Sequence, residues 1–281
     1  MKNKGASGAC FAALALCLLA GTSATANEIS KCPLSGEKGS VSITPANPGE
    51  ITVETALPNP AWWNGDTPDE IADGFEYCLA ANVAHRAGFD KVKIVVSSFP
   101  ALIANANQHK DLAMATISIT DERKKVLSFS APYFSSDIGV LVKAGKQVDS
   151  AALKTFRIGV LQGTTGANFV TDRIKPAEVK VYPENPGMFA ALMAGQIDAA
   201  ITDTAIILAQ ASKSNGALTV AGQFETGEYY GAIYPKDSPN KAAIDKVIQD
   251  MRADGTLAKL ASTYLTGIWG ADPTKIPYLK P

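Results

Sequence analysis

Residues 116–133, "TISITDERKKVLSFSAPY", bring together side chains that could bind an anion. The hydroxyl groups of Thr116, Ser118 and Thr120 alternate with isoleucines, which is typical of a strand, and Arg123 follows shortly after them. A guanidinium presents a planar fork of N–H donors that matches a carboxylate. The alternative is a solvated turn in which Arg123 stays exposed beside Glu122, as most surface cations do.

Two further segments could complete such a site. Residues 162–166, "QGTTG", precede a predicted helix whose first N–H groups suit a small anion, but they lack the lysine of a phosphate-binding loop. Asp203 ends the strand-like run "IDAAITD", and open α/β sheets place ligand contacts at such ends. Alternatively, Asp203 only caps the next helix. Arg123, the donor loops and Asp203 would together match a zwitterion, with the arginine on its carboxylate and the aspartate on its ammonium.

Other chemistries find little support in the composition. The chain has two histidines, His85 and His109, and neither lies at metal-ligand spacing from a cysteine or from the other. No G-x-S-x-G motif is present. The formal net charge is −1 and no basic stripe occurs, so nucleic acid is not expected as a partner. We therefore predict neither a metal nor a cofactor.

Strand-like and helix-like segments alternate along the chain, which predicts an α/β fold with mostly parallel sheets flanked by helices. A second strand–helix series starts after Lys143, and a strand and two helices separated at Asp254–Gly255 end the chain. The predicted strands are 50–55, 91–97, 111–118, 156–161, 180–183, 197–202 and 229–235. The main predicted helices are 75–88, 100–108, 167–174, 187–195 and 204–213.

The N-terminus has the features of a cleavable signal peptide. Lys2 and Lys4 precede an apolar run at 9–21, and Ala24 and Ala26 place small residues before a cleavage site. The run is too short to span a membrane, and no later segment approaches 18 apolar residues. We predict that residues 1–26 direct export to the periplasm; the alternative is a buried N-terminal helix.

Removal of residues 1–26 would leave two cysteines, Cys32 and Cys78. An exported protein with two cysteines has one possible intramolecular disulfide. The alternative is two unrelated thiols, one of them buried on the first helix. We predict the disulfide.

Six segments occur in an order that resembles the family-3 solute-binding proteins, which are periplasmic receptors for polar amino acids in ABC importers. The resemblance covers about Glu50 to Trp269. It implies a two-lobe, type II periplasmic-binding-protein architecture, with two hinge strands joining the lobes and the ligand enclosed between them. The segments are "GFEYCLAANVAHRAG", "SFPALI", "TISITDERKKVLSFSAPYF", "IGVLQGTTG", "GMFAALMAGQIDAAITD" and "RADGTLAKLASTYL".

The two strand–helix series and the return strand at 229–235 predict a domain layout, and the resemblance implies a set of ligand contacts. Lobe 1 would comprise 27–136 and 227–281, and lobe 2 would comprise 137–226. The partners would be an amino-acid-like ligand and the membrane permease of an importer, and we expect a monomer. Arg123 would hold the ligand carboxylate and Asp203 its ammonium. The remaining implied contacts are Phe99 as an aromatic wall, Thr116 through its main chain, and Ser118, Thr164 and Thr165.

The chain departs from the family pattern after its first strand. Receptors for basic amino acids carry an acid there, whereas this chain has Ala56, followed by a loop that contains Trp62 and Trp63. These tryptophans either shape the ligand's side-chain pocket or serve only in packing, since aromatic side chains bury well in both roles. An alternative function is an enzyme on the same scaffold, similar to cyclohexadienyl dehydratase. Dehydration needs a positioned general acid, and no acid/base pair stands out.

Overall fold

The structure is a computed structural model that describes Met1 and residues 27–281. The predicted signal peptide falls on residues outside this range. Eleven strands in the described residues form one six-stranded and one five-stranded sheet. They are β1 Asn27–Glu28, β2 Ile51–Thr55, β3 Lys91–Val96, β4 Leu112–Ala113, β5 Ser128–Phe129, β6 Phe134–Lys143, β7 Arg157–Leu161, β8 Glu178–Tyr182, β9 Ala199–Asp203, β10 Leu218–Tyr230 and β11 Ile233–Tyr234.

Helices flank both sheets, so the predicted α/β class is confirmed. Among residues 27–281, the structure has no helix with the length and apolar character needed to cross a bilayer. The α-helices are α1 Phe75–Arg86, α2 Phe99–Ile103, α3 Asp121–Lys124, α4 Ser150–Thr155, α5 Thr165–Phe169, α6 Asn185–Met193, α7 Thr204–Lys213, α8 Lys241–Ala253, α9 Thr256–Ala261 and α10 Gly267–Trp269.

Each sheet forms the centre of one lobe and has a parallel middle. The first sheet has the order β1-β3-β2-β4-β11-β5, in which β2 is parallel to β3 and β4. The second has the order β10-β6-β9-β7-β8, in which β7 is parallel to β8 and β9. Because the carboxyl ends of parallel strands share one edge, each lobe offers one edge at which loops can collect ligand contacts.

Local sequence signals account for the helix boundaries of the first lobe. α1 begins after Gly74, whose φ is 123°, and a Cβ at that position would lie 2.4 Å from the Trp62 carbonyl oxygen. The helix ends at Arg86, with Ala87 as its C-cap, just before Gly88 with its φ of 88°, the residue that was predicted to terminate it. In α8, the predicted apolar face is buried against the core. That face consists of Ile244, Val247, Ile248 and Met251.

Two long antiparallel strands connect the lobes. β6 and β10 pair from Phe134 with Tyr230 to Lys143 with Leu218. At the end that meets the first lobe, the Tyr133 N–H donates to the Tyr230 carbonyl (2.9 Å) and the Ile119 N–H donates to the Tyr229 carbonyl (2.8 Å). β6 and β10 therefore belong to the second sheet along their length and are hydrogen-bonded to the first lobe at the end near Phe134 and Tyr230.

The predicted strand at 229–235 is divided between the two sheets, which corrects that prediction. β10 ends at Tyr230 in the second sheet, and β11 resumes at Ile233 in the first. The break lies at Gly231, whose N–H donates to the Ile117 carbonyl at 3.0 Å. A Cβ at Gly231 would lie 2.8 Å from Ile119 Cδ1, so glycine permits the close crossing of the two chains.

The end of the chain also differs from the expected layout, which assigned all of 227–281 to the first lobe. Residues 273–281 return to the second sheet instead. There the Leu279 N–H donates to the Gln223 carbonyl at 2.7 Å, and the Gln223 N–H donates to the Pro277 carbonyl at 2.9 Å. These hydrogen bonds add residues 277–279 to the edge of the second sheet. The sequence of 273–281, which contains three prolines, has no strand pattern that would have predicted them.

A disulfide links Cys32 to Cys78, with 5.2 Å between the two Cα atoms. The predicted pairing is therefore present. The bridge fastens the segment before β2 to α1, and Cys78 is fully buried in the core of the first lobe.

Candidate functional site

A cleft of about 400 Å³ lies between the two lobes. Its walls come from the residues that follow the carboxyl ends of β2, β3 and β4 in one lobe and of β7, β8 and β9 in the other. The two parallel edges therefore face each other across the cleft. The lining residues are Ala56, Leu57, Pro58, Asn59, Val96, Ser97, Ser98, Phe99, Ala115, Thr116, Ser118, Arg123, Leu161, Thr164, Thr165, Pro183, Glu184, Asn185, Pro186, Thr202, Asp203 and Ile206.

Arg123 is held in the cleft by its own helical turn. Thr120 caps α3 by accepting the Arg123 N–H on its hydroxyl at 3.1 Å. The guanidinium then turns back, and Nη1 donates to the Ser118 carbonyl at 2.7 Å, while Cζ lies 5.7 Å from the centroid of the Phe99 ring. Burial lowers the pKa of Arg123 from its ordinary value, but a guanidinium remains charged at physiological pH.

The same guanidinium reaches the second lobe. Nη2 donates to the Gly163 carbonyl at 3.0 Å, within the loop between β7 and α5. The two carbonyl bonds use two of the five N–H groups of a guanidinium, so further N–H groups are available to a carboxylate in the cleft. Arg123 therefore lies at the junction of the lobes, not on a solvated turn.

The two threonines of the β7–α5 loop line the cleft, but their hydroxyls already have protein partners. Thr164 caps α5, accepting the Ala167 N–H at 3.1 Å and donating to the Leu161 carbonyl at 2.8 Å. The Thr165 hydroxyl donates to Glu228 Oε2 at 2.8 Å. Glu228 belongs to β10, so this bond connects the loop to a hinge strand.

Asp203 lies on the opposite wall at the end of β9, and its side chain makes no cap bond to α7. Its Oδ2 accepts the hydroxyl hydrogen of Tyr230 at 2.8 Å. The residue is 8% exposed, and burial, followed by the nearby Glu228 charge, raises the pKa of Asp203 to about 7. A carboxylate desolvated in this way is stabilised by an incoming cation.

Thr116 is positioned by a buried acid that the sequence did not indicate. Its φ is 51°, and its N–H donates to Glu76 Oε1 at 2.7 Å. Trp63 Nε1 donates to Glu76 Oε2 at 2.7 Å, and the Tyr133 hydroxyl donates to Oε1. Because the Thr116 N–H is taken, a main-chain contact from Thr116 to a ligand would have to use its carbonyl. The predicted strand 111–118 is shorter in the structure: β4 comprises Leu112–Ala113, and the left-handed Thr116 lies outside it.

Burial raises the pKa of Glu76 to about 7. The residue is fully buried, and the hydrogen bonds from Tyr133, Thr116 and Trp63 act in the opposite direction, stabilising the ionised form. Glu76 therefore supports the cleft wall from behind without lining it.

The two tryptophans do not line the cleft, so only the packing alternative fits the structure. Both are 0% exposed. The Trp62 ring lies edge-on to Phe134 (5.0 Å between centroids) and to Tyr230 (5.5 Å), where the hinge strands meet the first lobe. Trp62 thus packs against the tyrosine that holds Asp203.

Three cleft segments were missed from the sequence: 57–59, 97–98 and 183–186. Each lies at or just after the carboxyl end of a predicted strand, and that position was the available signal. The structure also places Ala56 in the cleft wall. In the described part of the chain, no group of three or more His, Cys, Asp or Glu side chains is arranged to hold a metal.

Comparison with known proteins agrees with this architecture. Residues 51–267 match the family model of the bacterial extracellular solute-binding proteins, family 3. The chain belongs to this family. The match spans both sheets and the two hinge strands, and the family's architecture of two lobes around a cleft is the one that the strand topology shows.

Among family-3 relatives, the L-cystine-binding protein TcyJ of Escherichia coli is 29% identical over 221 residues, which cover 77% of this chain and 80% of that protein. An ancestral arginine-binding protein bound to glutamine is 30% identical, with a TM-score of 0.70 and coverage of 78% and 98%. A solute receptor for L-cysteine of Neisseria gonorrhoeae is 26% identical, with a TM-score of 0.72 and coverage of 80% and 94%.

Proposed function

We propose that this protein captures an amino acid, or a similar zwitterion, between its lobes and delivers it to the permease of an ABC importer. One observation carries the proposal: a half-buried arginine of one lobe and a buried aspartate of the other line the same cleft. The two charges face a shared cavity, which makes them complementary to the carboxylate and the ammonium of one ligand.

Each charged group has a defined task in this proposal. Arg123 offers its unused N–H groups to the ligand carboxylate, beside the Phe99 ring. Asp203, oriented by Tyr230, accepts the ligand ammonium. The wall around these two charged groups is completed by Thr116, Ser118, Thr164 and Thr165. Approach of the lobes then removes both ion pairs from water and strengthens them.

Export and the lobe boundaries belong to the same proposal. Residues 1–26 direct the chain to the periplasm. Residues 27–136 and 227–272 act as one lobe, and residues 137–226 act as the other. Relatives are named as periplasmic and as binding proteins, which supports capture over dehydration. Incubation of the purified protein with prephenate or arogenate should therefore yield no product.

Calorimetric titration tests the proposal, using the best ligand from a thermal-shift screen of amino acids. Arg123→Ala leaves the ligand carboxylate buried without its charged donor, which costs about 2–5 kcal/mol, or roughly 30-fold to several thousandfold in Kd. Arg123→Lys should recover part of this loss, since an ammonium cannot reproduce the planar fork.

Lys124→Ala is the matched control, because Lys124 is the neighbouring cation, is 56% exposed and contacts Asp121 at the surface. It should bind like the wild type. A folded Arg123→Ala protein that binds within threefold of the wild type would show that Arg123 is not a ligand contact.

A further inference from the structure

A second cavity of about 310 Å³ adjoins the cleft. Five residues line both cavities, and they form the neck between them: Pro58, Asn59, Asn185, Pro186 and Ile206. The second cavity, here called the α6 groove, is completed by Pro60, Phe189, Ala190, Met193 and Gln210. Its walls come from the loop after β2 on one side and from α6 and α7 on the other, so both lobes contribute to it.

The α6 groove is uncharged, in contrast to the cleft. Its lining contains no Asp, Glu, Lys or Arg among the described residues. Proline rings and the side chains of Phe189, Met193 and Ile206 form most of the surface, and Met193 is 46% exposed. Thioether and aliphatic walls of this kind adapt to an apolar chain of variable shape.

The neck has one polar group that lacks a partner. Asn185 Oδ1 is buried and accepts no hydrogen bond from the described part of the protein. Beside it, Glu184 lines the cleft but not the groove, and its side chain is exposed. A ligand side chain that leaves the zwitterion site therefore passes an amide before it reaches the apolar walls.

We propose that the α6 groove receives the side chain of the ligand, and that the protein selects α-amino acids with a long, uncharged side chain of the aliphatic or thioether class. This inference rests on the proposed function. The two cavities share five lining residues, so a ligand anchored at Arg123 and Asp203 can extend from the cleft into the groove, which identifies the occupant of the groove as part of the same ligand. A cationic side chain would lie in the groove without a counter-ion, which disfavours it.

A homologous series of straight-chain L-2-amino acids tests the proposal by calorimetry: alanine, norvaline, norleucine and 2-aminooctanoic acid. Each methylene that enters an apolar site should lower Kd about threefold to fourfold. L-Methionine should bind close to norleucine, and L-arginine should bind more weakly than both. A Kd that stops falling after norvaline, or a preference for arginine, would overturn the inference.

Ala190→Phe is designed to fill the groove, since Ala190 is exposed on α6 and lines the groove but not the cleft. It should remove the gain from the longer chains and leave alanine and norvaline binding intact, which also demonstrates a folded zwitterion site. Ala194→Phe, at an exposed position that follows α6 and lines neither cavity, is the matched control and should keep the gain.

The possible outcomes distinguish a failure of the groove inference from a failure of the proposed function. Binding of alanine with no benefit from chain length, or an unchanged series in Ala190→Phe, overturns the groove inference and leaves the proposed function standing. Failure of every member of the series to bind overturns the proposed function and the inference with it.

Discussion

Lowering the pH from 8 to 5 should weaken amino-acid binding through Asp203. Burial raises the pKa of this carboxyl to about 7 in the unliganded protein, whereas a ligand ammonium requires the ionised form. Below pH 7, binding must therefore first remove the proton from Asp203. The cost is about tenfold in Kd per pH unit below the pKa, which amounts to about 100-fold at pH 5.

Proton counting makes the assay specific. Calorimetric titrations at pH 6 in two buffers of different ionisation enthalpy give the number of protons released, and this number should approach one per ligand bound. The ligand ammonium is charged throughout the range, and Arg123 keeps its charge. The other groups that face Asp203 are Glu228, through its charge, and Tyr230, whose pKa burial raises further above its ordinary value.

Asp203→Asn provides the comparison that isolates this carboxyl. The variant should bind weakly at pH 8, but its Kd should change little with pH, and its proton release at pH 6 should fall. This comparison is needed because burial also raises the pKa of Glu76 to about 7. A wild-type Kd that stays constant between pH 8 and pH 5, or an Asp203→Asn variant that keeps the full pH dependence, would show that Asp203 does not bind the ligand ammonium.

Three further predictions concern the disulfide, the buried acid and closure. Reduction of the Cys32–Cys78 bridge, which closes a loop of sequence separation 46, should lower the free energy of unfolding in urea by about 4 kcal/mol; a change below about 1 kcal/mol would contradict this. Glu76→Gln replaces one carboxylate oxygen, which accepts hydrogen bonds, with an amide N–H₂ that faces other donors. Thr116 would then be less well oriented, and calorimetry should show about tenfold weaker ligand binding. The control Glu122→Gln, at an exposed position, should bind like the wild type. Small-angle scattering should give a smaller radius of gyration at ligand saturation, and an unchanged radius would argue against closure.

Local patterns were sufficient for the parts of the protein that depend on neighbouring residues. The run that ends at Asp203 marks a strand end at which parallel sheets expose side chains, and β9 ends there. The alternation of hydroxyls and isoleucines identified the donor-rich segment before Arg123, but the strand it predicted through Ser118 ends at Ala113. The apolar spacing in α8 predicted the face that is buried. The two cysteines that follow residues 1–26 allowed a single bridge, which is present. In each case the information lies within a few residues, or in a count.

Tertiary structure decided everything that depends on which distant segments meet. Tyr230 reaches Asp203, and Glu76 collects donors from Trp63, Thr116 and Tyr133, across separations of up to 57 residues. No local period encodes these pairs, because they arise when strands from different parts of the chain become neighbours. The same physics buried both tryptophans: an aromatic ring in a loop is consistent with a pocket or a core, and the choice depends on what packs against it. The α6 groove also exists only between lobes, so its uncharged lining becomes visible only once the chain is folded.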